Sequence, residues 1–221
     1  MKGDRVTAPD GTEVVLADIG TSLVLERPGV RIWDVALPAG ARHDWHLHAN
    51  PYVVLSLTTC SGRMDWLDGS PSRHIEEYAG GAVFRPISTI HCLTNTGEVP
   101  YRNRLIELTD LGEDAPEPVD VGQGGRSDPD ADEPVLADGR RLVLATEWVT
   151  ITRATVPAGG SLELAPAGAT TVVALLDASD DGRGTSVHPD GAAPVRIDNT
   201  TDEERTWFVV TLDHEQSKEL R

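Results

Sequence analysis

The chain has 221 residues, of which 39% are hydrophobic, and this is enough to build one large domain or two small ones. Asp and Glu number 36 against 19 Lys and Arg, and the net charge of −17 disfavours nucleic acids and anionic membranes as partners. No apolar run approaches the roughly 18–20 residues that a membrane span needs. The N-terminus leads into no signal-type apolar segment, so we expect a cytoplasmic protein.

Short stretches of strand-forming residues follow one another along the chain and are separated by Gly and Pro turns. No stretch shows helical periodicity over three turns. This pattern predicts an all-β sandwich or barrel. In the first half we predict strands over 23–26, 30–37, 52–59, 62–67, 73–78, 82–85, 91–96 and 101–108.

Three of the seven histidines lie within six residues, in the segment that precedes the 52–59 strand. His46 and His48 are two residues apart, so on a strand both rings leave the same face. Two imidazoles on one face suit a divalent metal. His43 lies three residues before His46, and its parity predicts that it lies on the other face, at the rim of a site.

The histidine segment also has a characteristic spacing. Gly40 is followed after five residues by His46 and His48, and after three more residues by Tyr52. A second spaced motif occupies 80–95 and consists, in order, of Gly80, Pro86, Ser88, His91 and Asn95.

In order, spacing and separation, these two motifs resemble the two motifs of the cupin family. Tyr52 stands where that family has Glu, and Ser88 stands where it has Gly. The resemblance implies a small jelly-roll β-barrel that holds one divalent metal on His46, His48 and His91.

The sequence also contains an internal repeat. Residues 30–40 match 149–159 at an offset of 119, and 94–96 match 198–200 at an offset of 104, so the second copy is about 15 residues shorter. The second copy has Ala165, Ala167 and Val195 at the three histidine positions. We therefore predict two cupin barrels in tandem: 1–110 with the metal site, an acidic Pro/Gly linker over 111–134, and a degenerate second barrel over 135–221. We expect the linker to be a solvated connection.

Five further residues are candidates for the chemistry. Tyr52 shares the parity of the two histidines and is the catalytic candidate, either as an acid or as a hydrogen-bond donor to substrate; the alternative is a buried structural aromatic. Arg102 and Arg104 could bind a carboxylate substrate if they face inward, or form ion pairs if they face outward. Trp66 and Phe84 could line the pocket or fill the core.

Three imidazoles leave coordination positions open, and without a carboxylate ligand the metal keeps its full charge. We favour Fe(II), with Zn, Ni, Mn or Cu as alternatives. Cupins of this type resemble the cysteine, gentisate and β-diketone dioxygenases. The resemblance implies a metal-dependent enzyme acting on a small organic acid or carbonyl compound, most simply a mononuclear non-haem iron oxygenase. The alternatives are an isomerase or lyase that works through an enolate, and a non-catalytic binding protein. We also expect a homodimer, because such barrels commonly pair through their sheets.

Overall fold

A computed structural model describes residues 2–189 and 191–212, and in this part of the chain nearly every element is a strand. The predicted all-β class is therefore confirmed. The first half contains β1 (Arg5–Thr7), β2 (Glu13–Val15), β3 (Ser22–Arg27), β4 (Val30–Leu37), β5 (Arg42–His48), β6 (Tyr52–Ser56), β7 (Cys60–Trp66), β8 (Arg73–Glu77), β9 (Ala82–Arg85), β10 (Ser88–Asn95) and β11 (Tyr101–Leu108). The rest contains a 3₁₀ turn (Thr109–Leu111), β12 (Gly125–Arg126), β13 (Arg141–Ala145), β14 (Val149–Val156), β15 (Ser161–Leu164), β16 (Thr170–Leu175), β17 (Thr185–His188), β18 (Val195–Asp198) and β19 (Arg205–Leu212). None of the described residues forms a helix long and apolar enough to cross a membrane.

Besides the two-stranded sheet of β1 and β2, two larger antiparallel sheets enclose the interior where the motif residues lie. Their strand orders are β5-β10-β7-β8 and β12-β9-β6-β11-β4-β3. Side chains from both sheets meet in one apolar cluster, which includes Val35 and Leu105 from the larger sheet and Ile75 from the smaller one. Because side chains alternate along a strand, every second residue of each strand faces this interior.

The second half repeats the arrangement in reduced form. Its larger sheet has the order β13-β14-β19-β16-β17, which matches β3-β4-β11-β6-β9 strand for strand, and β15 pairs with β18 as β5 pairs with β10. Among the described residues no strands of the second half correspond to the β7–β8 hairpin. The second copy is shorter in its middle because its described residues lack a counterpart of this hairpin.

The outer faces of the two larger sheets pack against each other in one continuous core. Phe84, Ile106 and Val53 contribute from the first half, and Phe208 and Trp148 from the second. Phe84 and Phe208 are fully buried, and burial of one such side chain stabilises the fold by about 1.5–3 kcal/mol. Strands β4, β6 and β11 are therefore buried on both faces.

The predicted linker is more ordered than a solvated connection. Leu111 and Val121 are buried, and Gly125–Arg126 forms strand β12 at the edge of the larger sheet, paired with β9. The acidic segment gains this order by adding a strand to an existing sheet. The boundaries 1–110, 111–134 and 135–221 stay predictions, and 213–221 lie outside the described residues.

Asn95 and Asn199 occupy equivalent positions in the two copies of the repeat, and each joins neighbouring chain segments within its own copy. Asn95 and Asn199 are almost fully buried, and each side-chain amide donates hydrogen bonds to three backbone carbonyl oxygens. The acceptors are Leu37, Pro38 and Val99 for Asn95, and Val156, Pro157 and Glu203 for Asn199. The shared geometry supports the alignment of the two copies.

Replacing either asparagine by alanine is expected to lower the free energy of unfolding by about 1–3 kcal/mol, because buried carbonyl groups lose their donor. Urea denaturation of Asn95→Ala and Asn199→Ala measures the effect, with Gln123→Ala as the control at an exposed amide. A loss in Asn95→Ala alone would contradict the structural equivalence of the two sites.

Candidate metal centre

The three motif histidines converge in the interior of the first half. Strand β5 carries His46 and His48 and pairs with β10, which carries His91; in this register His91 lies opposite His46. All three are buried, and each offers a ring nitrogen within 4.8 Å of those of the other two. This clustering is what a single ion with three imidazole ligands requires.

The hydrogen bonds of two of these rings determine which nitrogen is free. His46 Nδ1 lies 2.7 Å from the carbonyl oxygen of Asp44, and His91 Nδ1 lies 2.9 Å from that of Thr89. A carbonyl oxygen only accepts, so Nδ1 carries the proton in both rings and Nε2 keeps the lone pair. Such a backbone partner is the usual outer support of a metal-bound histidine.

His48 has a different environment. Its Nδ1 is buried and has no hydrogen-bond partner among the described residues. Its ring stacks on Tyr52 with centroids 4.0 Å apart and an angle of 16° between planes. The imidazole is therefore held in place by ring packing.

The protonation state of the three rings also suits a metal. Burial lowers the pKa of His46 and His48 well below 6.5, and positive charge on the neighbouring histidines would lower it further. Burial lowers the pKa of His91 as well. Metal binding needs neutral imidazole, and the site supplies three without a cost for deprotonation at neutral pH. The residues therefore fit one divalent cation.

His43 lies nearer to the cluster than its parity predicted. Its ring centroid is 4.6 Å from that of His46, and the side chain lines the same cavity. The reason is an irregularity in the ladder, where the four residues of β5 from His43 to His46 lie opposite the three residues of β10 from His91 to Leu93. His43 Nε2 lies 2.7 Å from the carbonyl oxygen of Asp18, so this nitrogen is engaged by the backbone.

A cavity of about 160 Å³ adjoins the histidines. Much of its wall is apolar, with Val35, Val54, Ile75, Leu93 and Leu105. Polar side chains that belong to neither sequence motif also face it: Arg73, Glu77, Arg85, Asn103 and Arg126. For two of them the sequence does contain a signal, because the two-residue alternation of a strand places Arg73, Ile75 and Glu77 on one face of β8.

Tyr52 and Trp66 both line the cavity. Trp66 lies opposite His91 in the β7–β10 ladder, with ring centroids 5.2 Å apart. Burial raises the pKa of the Tyr52 hydroxyl, so this group keeps its proton and can donate a hydrogen bond into the cavity.

Tyr52→Ala is expected to weaken metal binding about 10–100-fold, the usual cost of losing an outer support of a ligand. Tyr52→Phe retains the stacked ring and should bind metal within a few-fold of the parent protein. Competition titration with a Zn(II) chelator measures both. Equal losses in the two variants would contradict a role for stacking and point to the hydroxyl.

Arg102, Arg104 and Phe84 do not line the cavity. Arg102 and Arg104 are on the opposite face of β11 from Asn103 and Leu105, and both donate to Asp34 and to the backbone carbonyl of Asp180 in the second half. Phe84 lies in the core between the larger sheets. Of the alternatives given for these three residues, the structure therefore has the ion pairs for Arg102 and Arg104 and the core position for Phe84, because β11 and β9 each bury both faces.

Glu77 is a buried carboxyl group on the cavity wall. The hydroxyls of Tyr101 and Ser56 donate hydrogen bonds to it at 2.7 and 2.8 Å. Burial raises its pKa above the usual 4.5, although the two hydrogen bonds and the charge of Arg126 act in the opposite direction.

Glu77→Gln is expected to become progressively more stable than the parent protein as the pH rises above 4.5. With a raised pKa in the folded state, Glu77 contributes stability that is complete below the unfolded pKa and is lost as the pH rises through the folded pKa. Urea denaturation of both metal-free proteins from about pH 4 to 8 measures the difference. A difference that stays constant with pH would contradict the raised pKa.

In the second half the equivalent interior is filled with apolar side chains. Val195, at the position of His91, packs with Leu164, Val173 and Trp207 in a separate core cluster. The described second half thus has a packed core where the first half has a cavity.

Comparisons with known proteins agree with this architecture. No family model matches the sequence, and no curated protein matches it. Among solved structures, AerE from Microcystis aeruginosa superposes with a TM-score of 0.57 at 10% identity, over 86% of this chain and 96% of that one. Oxalate decarboxylase from Bacillus subtilis, a protein with Mn(II) centres, gives 0.53 at 13% identity over 84% and 69% of the two chains.

Salicylate 1,2-dioxygenase from Pseudoaminobacter salicylatoxidans, solved as a variant in complex with gentisate, gives a TM-score of 0.52 at 10% identity over 87% and 71% of the two chains. At these identities the likeness concerns the fold. The chain has the all-β cupin fold, and a buried cluster of three histidines lies inside it.

Proposed function

We propose that this chain is a metal-dependent enzyme in which His46, His48 and His91 hold one divalent ion and the adjoining cavity binds a small organic acid or carbonyl compound. The observation that carries the proposal is the convergence of three buried, neutral imidazoles on one wall of a cavity. Three protein ligands leave coordination positions open, which distinguishes catalytic sites from closed structural ones.

Within this class we favour a mononuclear non-haem iron oxygenase. Bound Fe(II) would supply the redox chemistry and would polarise a chelating substrate. Two structures with the same fold belong to proteins named for small organic acids, a salicylate dioxygenase and an oxalate decarboxylase, and this supports the substrate size.

The roles of the protein groups follow from their positions. The apolar wall excludes water from the reacting face of the substrate. The Tyr52 ring orients His48, and its hydroxyl keeps its proton and can donate a hydrogen bond to a substrate oxygen. Trp66 packs beside His91 and limits the space next to the ion.

Glu77 supports a second candidate, a metal-dependent isomerase or lyase that works through an enolate. Burial raises the pKa of this carboxyl group and so makes it a stronger base, which enolate chemistry requires of the group that removes the proton. In this candidate a redox-inert ion would stabilise the negative charge on the substrate oxygen.

The two candidates are separated by loading metal-free protein with Fe(II) without oxygen, and separately with Zn(II), and supplying a panel of small 2-oxo and aromatic acids. The oxygenase predicts O₂ consumption with Fe(II) only, lost in His46→Ala. The isomerase or lyase predicts solvent deuterium exchange into a substrate with Zn(II), lost in Glu77→Gln. Tight ligand binding without either reaction would identify a binding protein.

The expected homodimer stays a prediction, which light scattering tests.

A further inference from the structure

Three arginines from three different strands face the same cavity. Arg73 lies on β8, Arg85 on β9 and Arg126 on β12, and all three line the cavity wall. The pairing explains their common direction, because Arg85 lies opposite Tyr52, which also faces the cavity. The β12 strand brings Arg126 opposite Val83, another lining residue.

Arg85 is half-buried and Arg73 and Arg126 are exposed, and the side chains of all three lack the acidic partner that other arginines with buried parts have. Within residues 2–189 and 191–212, Arg102, Arg104 and Arg153 each form an ion pair with an aspartate or glutamate. In the same part of the chain, the side chains of Arg73, Arg85 and Arg126 form no ion pair and no hydrogen bond. The lack of partners is notable in a chain with 36 acidic residues.

The arrangement is unfavourable without a ligand. Arg85 is half-buried, and burial followed by the like charges of Arg73 and Arg126 lowers its pKa. The carboxyl group on this wall is Glu77, and its oxygens accept from Ser56 and Tyr101. Arg126 also lowers the pKa of Glu77, so Glu77 offsets part of the positive charge at Arg126, whereas Arg85 has no acidic side-chain partner. A half-buried arginine without such a partner, with two further arginines beside it, is typical of a site that receives an anion.

We propose that the cavity binds its substrate as an organic carboxylate, with the carboxylate held by Arg85 and assisted by Arg73 and Arg126. The inference rests on the proposed function, because it assigns the substrate class of the same cavity. Guanidinium groups match the planar carboxylate with paired hydrogen bonds.

The rest of the cavity indicates the size and polarity of the ligand's body, meaning the part of the ligand other than its carboxylate. Ile75, Val54 and Leu105 provide apolar wall, which disfavours a purely inorganic anion. The cavity of about 160 Å³ is close to one of about 150 Å³ that holds benzene, so a body of one ring or a short chain fits. Arg85 is the cross-strand neighbour of Tyr52, and Tyr52 stacks on His48, so a carboxylate at Arg85 directs the body towards the histidines.

The test compares carboxylates with their neutral amides on the metal-free protein. Calorimetry and thermal shift are measured with benzoate against benzamide, hexanoate against hexanamide, and inorganic phosphate. We expect each carboxylate to bind at least about tenfold more tightly than its amide, with a preference that shrinks in about 0.5 M NaCl. Equal affinity for acid and amide, or phosphate binding as tight as benzoate, would overturn the inference.

The variants Arg85→Gln and Arg183→Gln identify the residue responsible. Arg183 is a matched control because its side chain is 89% exposed and it lies in the second half. Arg85→Gln should lose the carboxylate preference and, without ligand, melt at or above the temperature of the parent protein, since a repelled charge is gone. Retention of the full preference in Arg85→Gln would place the carboxylate elsewhere.

His46→Ala separates this inference from the proposed function. Carboxylate preference in both the parent protein and His46→Ala, with no metal bound by either, would leave the anion site standing and remove the metal enzyme. If the parent protein binds metal but shows no preference for acid over amide, the metal site would stand and the anion site would be removed.

Discussion

His91→Ala is expected to weaken the binding of Zn(II) or Fe(II) by more than about 100-fold. Loss of an outer support alone costs about 10–100-fold in affinity, and here a ligand atom itself is removed. In the proposed site His91 is the ligand from β10, while the other two come from β5, so its loss leaves two imidazoles on one strand. The two remaining imidazoles offset less of the hydration free energy that the ion loses when it leaves water.

The matched control is His74→Ala. His74 is an exposed histidine on β8 outside the cluster, and its removal should leave metal affinity unchanged. Isothermal titration calorimetry on metal-free protein measures both variants and the parent. The same dissociation constant in all three proteins would show that the metal binds elsewhere.

Asp34→Ala is expected to destabilise the protein by about 3–5 kcal/mol, because it leaves charge buried without its partner. Asp34 accepts from Arg102 and Arg104 at 3.0 Å each. Arg104 is fully buried and also donates to Asp180 of the second half. The network therefore joins the two halves beside their shared core.

Urea denaturation measures this loss, with Asp198→Ala as the control. Asp198 pairs with Arg196 in an exposed ion pair, and its removal should change the free energy of unfolding by no more than about 0.5–1 kcal/mol. Combining Asp34→Ala with Arg104→Met should cost less than the sum of the single variants, because both partners leave together. Additive losses would contradict direct coupling.

Much of the fold could be predicted from local sequence. Short runs of strand-forming residues between Gly and Pro turns predicted the strands, and the matching offsets of 30–40 and 94–96 predicted equivalent strands in the second half. The two-residue spacing of His46 and His48 predicted a shared face. The spacing of the second motif, through its resemblance to the cupins, brought His91 to the same site.

Other features depend on contacts that local sequence does not contain. Alternation shows that Arg102 and Arg104 share a face of β11, but a strand buried on both faces gives no sign of which face lines the cavity. A bulge in β5 turned His43 towards the cavity. Arg126 joined the cavity because its acidic segment pairs with β9, a contact far apart in sequence.

The central claim is that three histidines hold one divalent ion, and metal content per chain tests it most directly. Protein without an affinity tag is purified with no added metal and analysed by plasma mass spectrometry, together with His46→Ala prepared in the same way. The predicted result is close to one divalent metal per chain in the parent protein and none in the variant. Absence of metal from both, with a melting temperature that does not change when Fe(II), Mn(II) or Zn(II) is added, would contradict the claim.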